Sequence, residues 1–126
     1  MASVLVLEDD IVFRDAVRKT LQKAGYTVDV AANGRQGWDF FKETRHDVVI
    51  TDLQMPSQGG VRTIDQIRKI APDVPIIAMS GAAPKQLDDA MHRGANVRLN
   101  KPFEMSDLLA AVSMLLGEDE GSQSKS

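Results

Sequence analysis

The stretch Val48-Val49-Ile50-Thr51-Asp52-Leu53-Gln54-Met55-Pro56 decides the fold. A β-branched apolar run ends on one acidic residue and passes into a Met-Pro loop. Such a run reads as a strand buried on both faces, the kind found in the middle of a parallel sheet. Asp52 then stands at the carboxyl end of that strand. Open α/β sheets place their ligand chemistry at that end.

The same pattern repeats on either side. Upstream, Ser3 to Leu7 is a short apolar strand that ends on Glu8-Asp9-Asp10. Phe13, Val17, Leu21 and Ala24 then fall at helical spacing, and Gly25 is a stop signal. Tyr26 to Ala31 alternates and reads as a strand. Asn33-Gly34 is turn chemistry before a helix over Arg35 to Thr44, with Trp38 and Phe41 on its apolar face.

Downstream, Ser57-Gln58-Gly59-Gly60 reads as a flexible loop. Val61, Ile64, Ile67 and Ile70 follow as a helical stripe, and Pro72 and Pro75 bracket its exit. Ile76 to Met79 is a strand ending on Ser80-Gly81. Pro84 suits the first turn of a weak helix with only Leu87, Ala90 and Met91 as its stripe. Val97 to Leu99 is a short strand ending at Asn100-Lys101-Pro102. Leu108, Leu109, Val112, Leu115 and Leu116 mark a last helix.

Strand and helix thus alternate five times. That pattern predicts an α/β fold, a doubly wound parallel sheet with helical crossovers on both faces. Residues 1–116 form one domain, and 117–126 are polar and expected to be a disordered tail.

Composition narrows the function classes. A chain of 126 residues is long enough for one domain with a real core. Net charge is −3, from 15 basic and 18 acidic residues, so no nucleic-acid-binding basic surface is indicated. The absence of cysteine removes disulfides and thiolate metal sites and fits a reducing compartment. No apolar run approaches membrane-spanning length, and the N-terminal run is too short for a signal peptide. The expectation is a cytoplasmic protein with no membrane partner.

The chemistry lies in where the strands end. Glu8-Asp9, Asp52, Ser80 and Lys101 close four of the five strands, and a doubly wound sheet gathers those ends on one edge. Three carboxylates at close range repel by about a kcal/mol or more per pair at the effective dielectric of a protein surface. They need a cation. Oxygen ligands without His or Cys suit Mg2+. Lys101 adds a positive charge, and the two cations together favour an ionised Asp52. A carboxylate in that setting is a nucleophile toward phosphorus. Phosphoryl transfer needs positioning and charge neutralisation more than acid–base groups. His46 and His92 fall at helix surface or its margin, so no catalytic base is evident. Asp10 reads as a complement to the dipole of the first helix.

Val4-Leu5-Val6-Leu7-Glu8-Asp9, Thr51 to Pro56, Met79-Ser80-Gly81 and Asn100-Lys101-Pro102-Phe103 together resemble the receiver domain of two-component response regulators. Each motif is weak alone, but four in order at strand ends are specific. The resemblance spans about residues 3 to 116. It implies a flavodoxin-like three-layer sandwich with strand order 2-1-3-4-5. It implies that Asp52 is the phosphoacceptor, taking its phosphoryl group from a sensor histidine kinase or a histidine phosphotransfer domain. Asp9, Asp52 and the backbone carbonyl of Gln54 would ligate Mg2+ directly, and Glu8 would act through water. Ser80 and Lys101 would bind the phosphoryl group. Lys101-Pro102 is similar to the family's cis peptide. Phe13 and Pro102 are the candidates for docking the phosphodonor. A downstream protein, unnamed by the sequence, would read the switch through the face of the fourth helix, fifth strand and fifth helix.

Three positions depart from the family's usual residues. Gln54 stands where the family varies, within reach of the phosphoryl group and its hydrolytic water. Gly59 replaces an Asp. Arg98 replaces the Tyr or Phe whose ring turns inward on activation, and an arginine resists burial. The expectation is that Arg98 exchanges acidic partners instead, or that output uses another face. Two alternatives accompany the switch reading. One is a receiver cut from a larger regulator, although the polar tail favours a stand-alone chain. The other is a phosphatase-like hydrolase using Asp52 for turnover. Such enzymes carry an Asp two residues after the nucleophile, and here that residue is Gln54.

Overall fold

The computed structural model describes residues 2–55, 59–81 and 84–118. In chain order the elements are β1 (Ser3–Leu7), α1 (Ile11–Lys23), β2 (Thr27–Ala31), α2 (Gly34–Thr44), β3 (Val48–Asp52), α3 (Gly60–Ile70), β4 (Ile76–Ser80), α4 (Pro84–His92), β5 (Val97–Asn100) and α5 (Met105–Leu115). The five strands make one sheet in the order β2-β1-β3-β4-β5. Every neighbouring pair is parallel.

Burial of β3 and β4 on both faces explains their unbroken apolar runs. Alternation along β1 sends Leu5 and Leu7 to one core and Val4 and Val6 to the other. The first core is closed by Phe41 of α2, Ile64 and Ile67 of α3, and Leu87 and Ala90 of α4. The second is closed by Val17 and Leu21 of α1 and by Leu108, Ala111 and Val112 of α5. Three helices therefore cover one face and two cover the other. The chain reverses its direction of growth between β1 and β3, and this switch point opens a crevice at the carboxyl ends of those strands.

Local chemistry sets the helix entries. Asp10 is the N-cap of α1, and its side chain accepts hydrogen bonds from the Val12 and Phe13 amides at 3.0 and 3.2 Å. Asn33 caps α2 through the Gln36 amide. Gly25, at φ 104°, follows α1 in the left-handed conformation that stops it. Glu104 and Asp107 form a reciprocal capping box at α5.

Two sequence expectations change. His46 is not on a surface. It is buried, its Nε2 lies 2.7 Å from Asp29 Oδ2, and its ring stacks on Phe41. The end of α2 packs over the sheet edge and covers it. His92, in contrast, is exposed at the end of α4. Gly59 and Gly60 are not loop residues: Gly59 is the N-cap of α3 and Gly60 its buried first residue. Pro56, Ser57 and Gln58 lie outside the described residues, as does the expected tail over 119–126. Gly117 and Glu118 are described. The Glu118 amide donates to the Ser113 carbonyl, and the Tyr26 hydroxyl donates to Glu118 Oε1 at 2.8 Å. That bond and burial push the Tyr26 hydroxyl up to about 12, burial being the larger cause.

Candidate functional site

The strand register brings the predicted residues to one edge. β1 ends one residue before Glu8, β3 ends on Asp52, β4 on Ser80, and Lys101 follows β5. Asp52 is level with Met79, so Ser80 stands one residue further along the edge. Carboxylate oxygens of Glu8, Asp9 and Asp52 all lie within 4.8 Å of one another. Glu8 is 1% exposed and Asp52 5%, while Asp9 is exposed.

Lys101 reaches into this cluster. Its Nζ lies 2.7 Å from Glu8 Oε1 and 3.4 Å from Asp52 Oδ2. The ammonium also meets the Phe13 ring, 4.7 Å from its centroid. Phe13 in turn meets Phe103 edge to face, at 5.7 Å. The Lys101–Pro102 peptide bond is cis. Backbone amides hold the acids from below: the Asp10 amide donates to Glu8 Oε2 at 3.0 Å, and the Gln54 amide lies 3.4 Å from Asp52 Oδ1. The Thr51 hydroxyl donates to the Asp52 carbonyl at 2.9 Å.

The electrostatics follow from burial. Desolvation pushes the Glu8 carboxyl above the usual carboxylate range, and the Asp52 charge adds to it. The hydrogen bonds from Lys101 and the Asp10 amide oppose that rise without cancelling it. Burial alone would pull Lys101 down. Its hydrogen bond to Glu8 and the charges of Asp52 and Glu8 outweigh burial and raise it. The ammonium is therefore firmly charged, and one lysine serves two buried acids. The site as it stands carries more negative charge than its own cation neutralises. The donors are all oxygen and converge on one point, which fits a hard divalent cation such as Mg2+.

Arg98 of β5 is level with Ala78 of β4 and forms an ion pair with Asp88 of α4. The sequence did not identify that partner. It also passed over Ile11 and Val12, which are 69% and 80% exposed at the start of α1. With Arg14, Asp15, Arg18 and Val30 they line an open groove of about 340 Å³. The signal was present: both residues lie off the Phe13–Val17–Leu21 stripe, and large apolar side chains out of helical phase beside a site mark a contact surface. Pro102 is exposed, as a docking residue must be, while Phe13 is half-buried against the core. Among the described residues no helix is long and apolar enough to cross a membrane.

A five-stranded doubly wound sheet with an acidic cluster and a lysine at its switch point has the architecture of a signalling module. The chain belongs to the response regulator receiver domain family, whose model matches residues 4–113. It is similar to the DNA-binding transcriptional regulator NtrC of Rhizobium meliloti, with 30% identity over 98% of this chain and 26% of that protein. It is also similar to the response regulator MprA of Mycolicibacterium vanbaalenii, with 32% identity over 90% of this chain and 49% of that protein. The chain thus spans about a quarter to a half of the length of these curated relatives.

Among solved structures, the chemotaxis protein CheY4 of Vibrio cholerae superposes with a TM-score of 0.85 and 33% identity, over 91% of this chain and 98% of that one. The response regulator TrrA of Thermotoga maritima, solved with magnesium and BeF, gives 0.84 and 30%, over 91% and 99%. The expected flavodoxin-like fold, its strand order and its family are therefore as the sequence implied. Receiver domains bind Mg2+ at an acidic pocket, and Glu8, Asp9 and Asp52 form such a cluster here.

Proposed function

We propose that this chain is a phosphorelay receiver in which Asp52 accepts a phosphoryl group from a phosphohistidine. The donor is a sensor histidine kinase or a histidine phosphotransfer domain in the cytoplasm. The observation that carries the reading is the Lys101 ammonium shared between Glu8 and Asp52 inside the acidic cluster. An Asp52 oxygen bonds to phosphorus as the donor's N–P bond breaks, and the bonding pair returns to the imidazole nitrogen. Lys101 stays charged and offers its N–H groups to the non-bridging oxygens. Ser80 offers its hydroxyl to one of them.

Asp9, Asp52 and the Gln54 carbonyl would hold Mg2+, with Glu8 acting through water. When bound, the ion supplies charge neutralisation for the oxygens in flight. The chain's own groups do the aiming, and they also support self-catalysed acceptance and loss of the phosphoryl group. Ile11 and Val12, together with the exposed Pro102, form the docking surface for the donor. Gln54, exposed beside the acceptor, sets how readily water reaches the phosphoryl group.

Incubation with acetyl phosphate and magnesium, read by intact mass, tests the reading. One added phosphoryl group is expected, and none without magnesium. A thermal melt supplies a check that needs no phosphodonor. Magnesium should raise the unfolding midpoint, by the equivalent of about 2.7 kcal/mol at a hundred times its Kd and further as the logarithm of its concentration. In Asp9→Ala that rise should disappear. An equal rise in wild type and variant would remove Asp9 from the ligand set.

Output runs through α4, β5 and α5 in this reading, with Arg98 in place of an inward-turning ring. The Arg98–Asp88 pair is well exposed and contributes at most about 1 kcal/mol to stability. Its value is positional, since it ties α4 to β5 at the level of Ala78, two residues before Ser80 on β4. Asp88→Asn should alter the phosphorylation-dependent amide shifts over residues 84–92 and 97–100 while leaving the adduct yield unchanged. An identical shift map would exclude Arg98 from the relay.

A further inference from the structure

A lysine carries its ammonium at the end of a flexible stem, yet the proposed chemistry needs that ammonium in one place. Two of the groups around Lys101 Nζ are carboxylates, Glu8 at 2.7 Å and Asp52 at 3.4 Å. Both contacts change in the course of the reaction. Glu8 belongs to the cation-binding set, and an oxygen turned toward a cation is turned from the lysine. The carboxylate of Asp52 becomes an acyl phosphate when it reacts. The third neighbour is the Phe13 ring, at 4.7 Å from Nζ to centroid. That separation is within the roughly 6 Å at which a ring face attracts a cation. This attraction changes neither on metal binding nor on phosphorylation.

The ring is itself held on two sides. Phe13 lies in the first turn of α1, where its amide donates to the N-cap Asp10 at 3.2 Å. Its edge-to-face partner Phe103 follows Lys101 by two residues. The aromatic pair therefore links the start of α1 to the segment that carries the lysine.

We propose that Phe13 is a positioning residue whose ring face seats the Lys101 ammonium at the strand edge throughout phosphoryl transfer. This inference rests on the reading of Asp52 as acceptor. The step it serves, with a small acyl phosphate, forms a bond from Asp52 to phosphorus. The donor's P–O bond breaks, and a carboxylate leaves with the bonding pair. Lys101 keeps its protons throughout.

Two variants and two readouts test it on the whole chain. Phe13→Leu keeps an apolar side chain and loses the ring face, while Phe13→Tyr keeps the face. In the metal-free protein, the ε-methylene protons of Lys101 should be displaced upfield by the ring in wild type and Phe13→Tyr, and not in Phe13→Leu. With acetyl phosphate and magnesium, Phe13→Leu should be slower by roughly fivefold, and Phe13→Tyr should stay within about twofold of wild type. The affinity for magnesium should not change, as a loosened fold would make it do.

Undisplaced methylene protons in the wild type overturn the seating, even where Phe13→Leu does not fold. A wild-type rate in Phe13→Leu, or an equal loss in both variants, also overturns it. A wild type that displaces the methylene protons but never takes a phosphoryl group overturns the reading of Asp52, and the inference falls with it.

Discussion

Asp52→Asn will gain no phosphoryl group under conditions in which the wild-type chain gains one. The substitution is nearly isosteric and leaves an oxygen or an N–H where the carboxylate stood. What it removes is the anionic nucleophile, and an amide oxygen does not form the acyl phosphate. The fold should survive. Asp52 is buried beside Glu8 and shares one lysine with it, so losing its charge relieves repulsion as well as an attraction. Intact mass and a thermal melt on the same samples separate the two effects. The expected result is an absent adduct with an unfolding midpoint at or above that of the metal-free wild type. An adduct on Asp52→Asn would place the acceptor elsewhere, and Asp9 would be the next residue to test. Steady hydrolysis of the donor by wild type without any adduct would revive the hydrolase reading.

Gly60→Ala should be among the most destabilising single-methyl changes in the chain. A Cβ at Gly60 would stand 2.2 Å from the Asp52 carbonyl oxygen and 2.9 Å from Leu53 Cα. Both obstacles are backbone, so no rotamer relieves the clash. Either α3 retreats or the end of β3 moves, and the end of β3 carries Asp52. The expected cost is about 3 kcal/mol or more, the range in which overpacking meets a rigid wall. Gly59→Ala is the control. Its Cβ would meet only the Leu53 carbonyl oxygen at 3.6 Å, so it should cost under about 1 kcal/mol as a poorer N-cap. Urea unfolding of the two variants decides the matter. Equal midpoints would mean that α3 is free to slide, and that Gly60 does not fix the Asp52 backbone.

Much of the fold was legible because its signals are local. Parallel strands with covered faces must read as apolar runs, and Val48 to Ile50 and Ile76 to Met79 do. Parallel direction alone then sends every strand's carboxyl end to one edge. Naming Glu8, Asp9, Asp52, Ser80 and Lys101 as one cluster therefore needed no coordinates. Asp10 as a charge complement at the start of α1 and Gly25 as its stop were readable because each acts within one turn of its own helix, while the capping bonds of Asp10 to the Val12 and Phe13 amides came from the structure.

Other facts depend on how surfaces meet. His46 seemed a margin residue because its helix ends there. Its burial depends on α2 packing over β2 and on Asp29, 17 positions away, facing it. Gly59 and Gly60 looked like slack. Their role comes from the close approach of α3 to the Asp52 carbonyl, and neither chain segment reports the other. Arg98 needed Asp88 on a different element. The Lys101 ammonium needed Glu8, 93 positions earlier, and the ring of Phe13.

By itself the sequence determined the order of elements, their common direction and the identity of the residues at the strand ends, since periodicity states which face of its own element a side chain leaves from. Only the tertiary structure decided which acid holds the lysine, which glycine touches the Asp52 backbone and which acid pairs with Arg98. Those outcomes depend on the distance between packed faces, and one element's periodicity carries no measure of its distance from another.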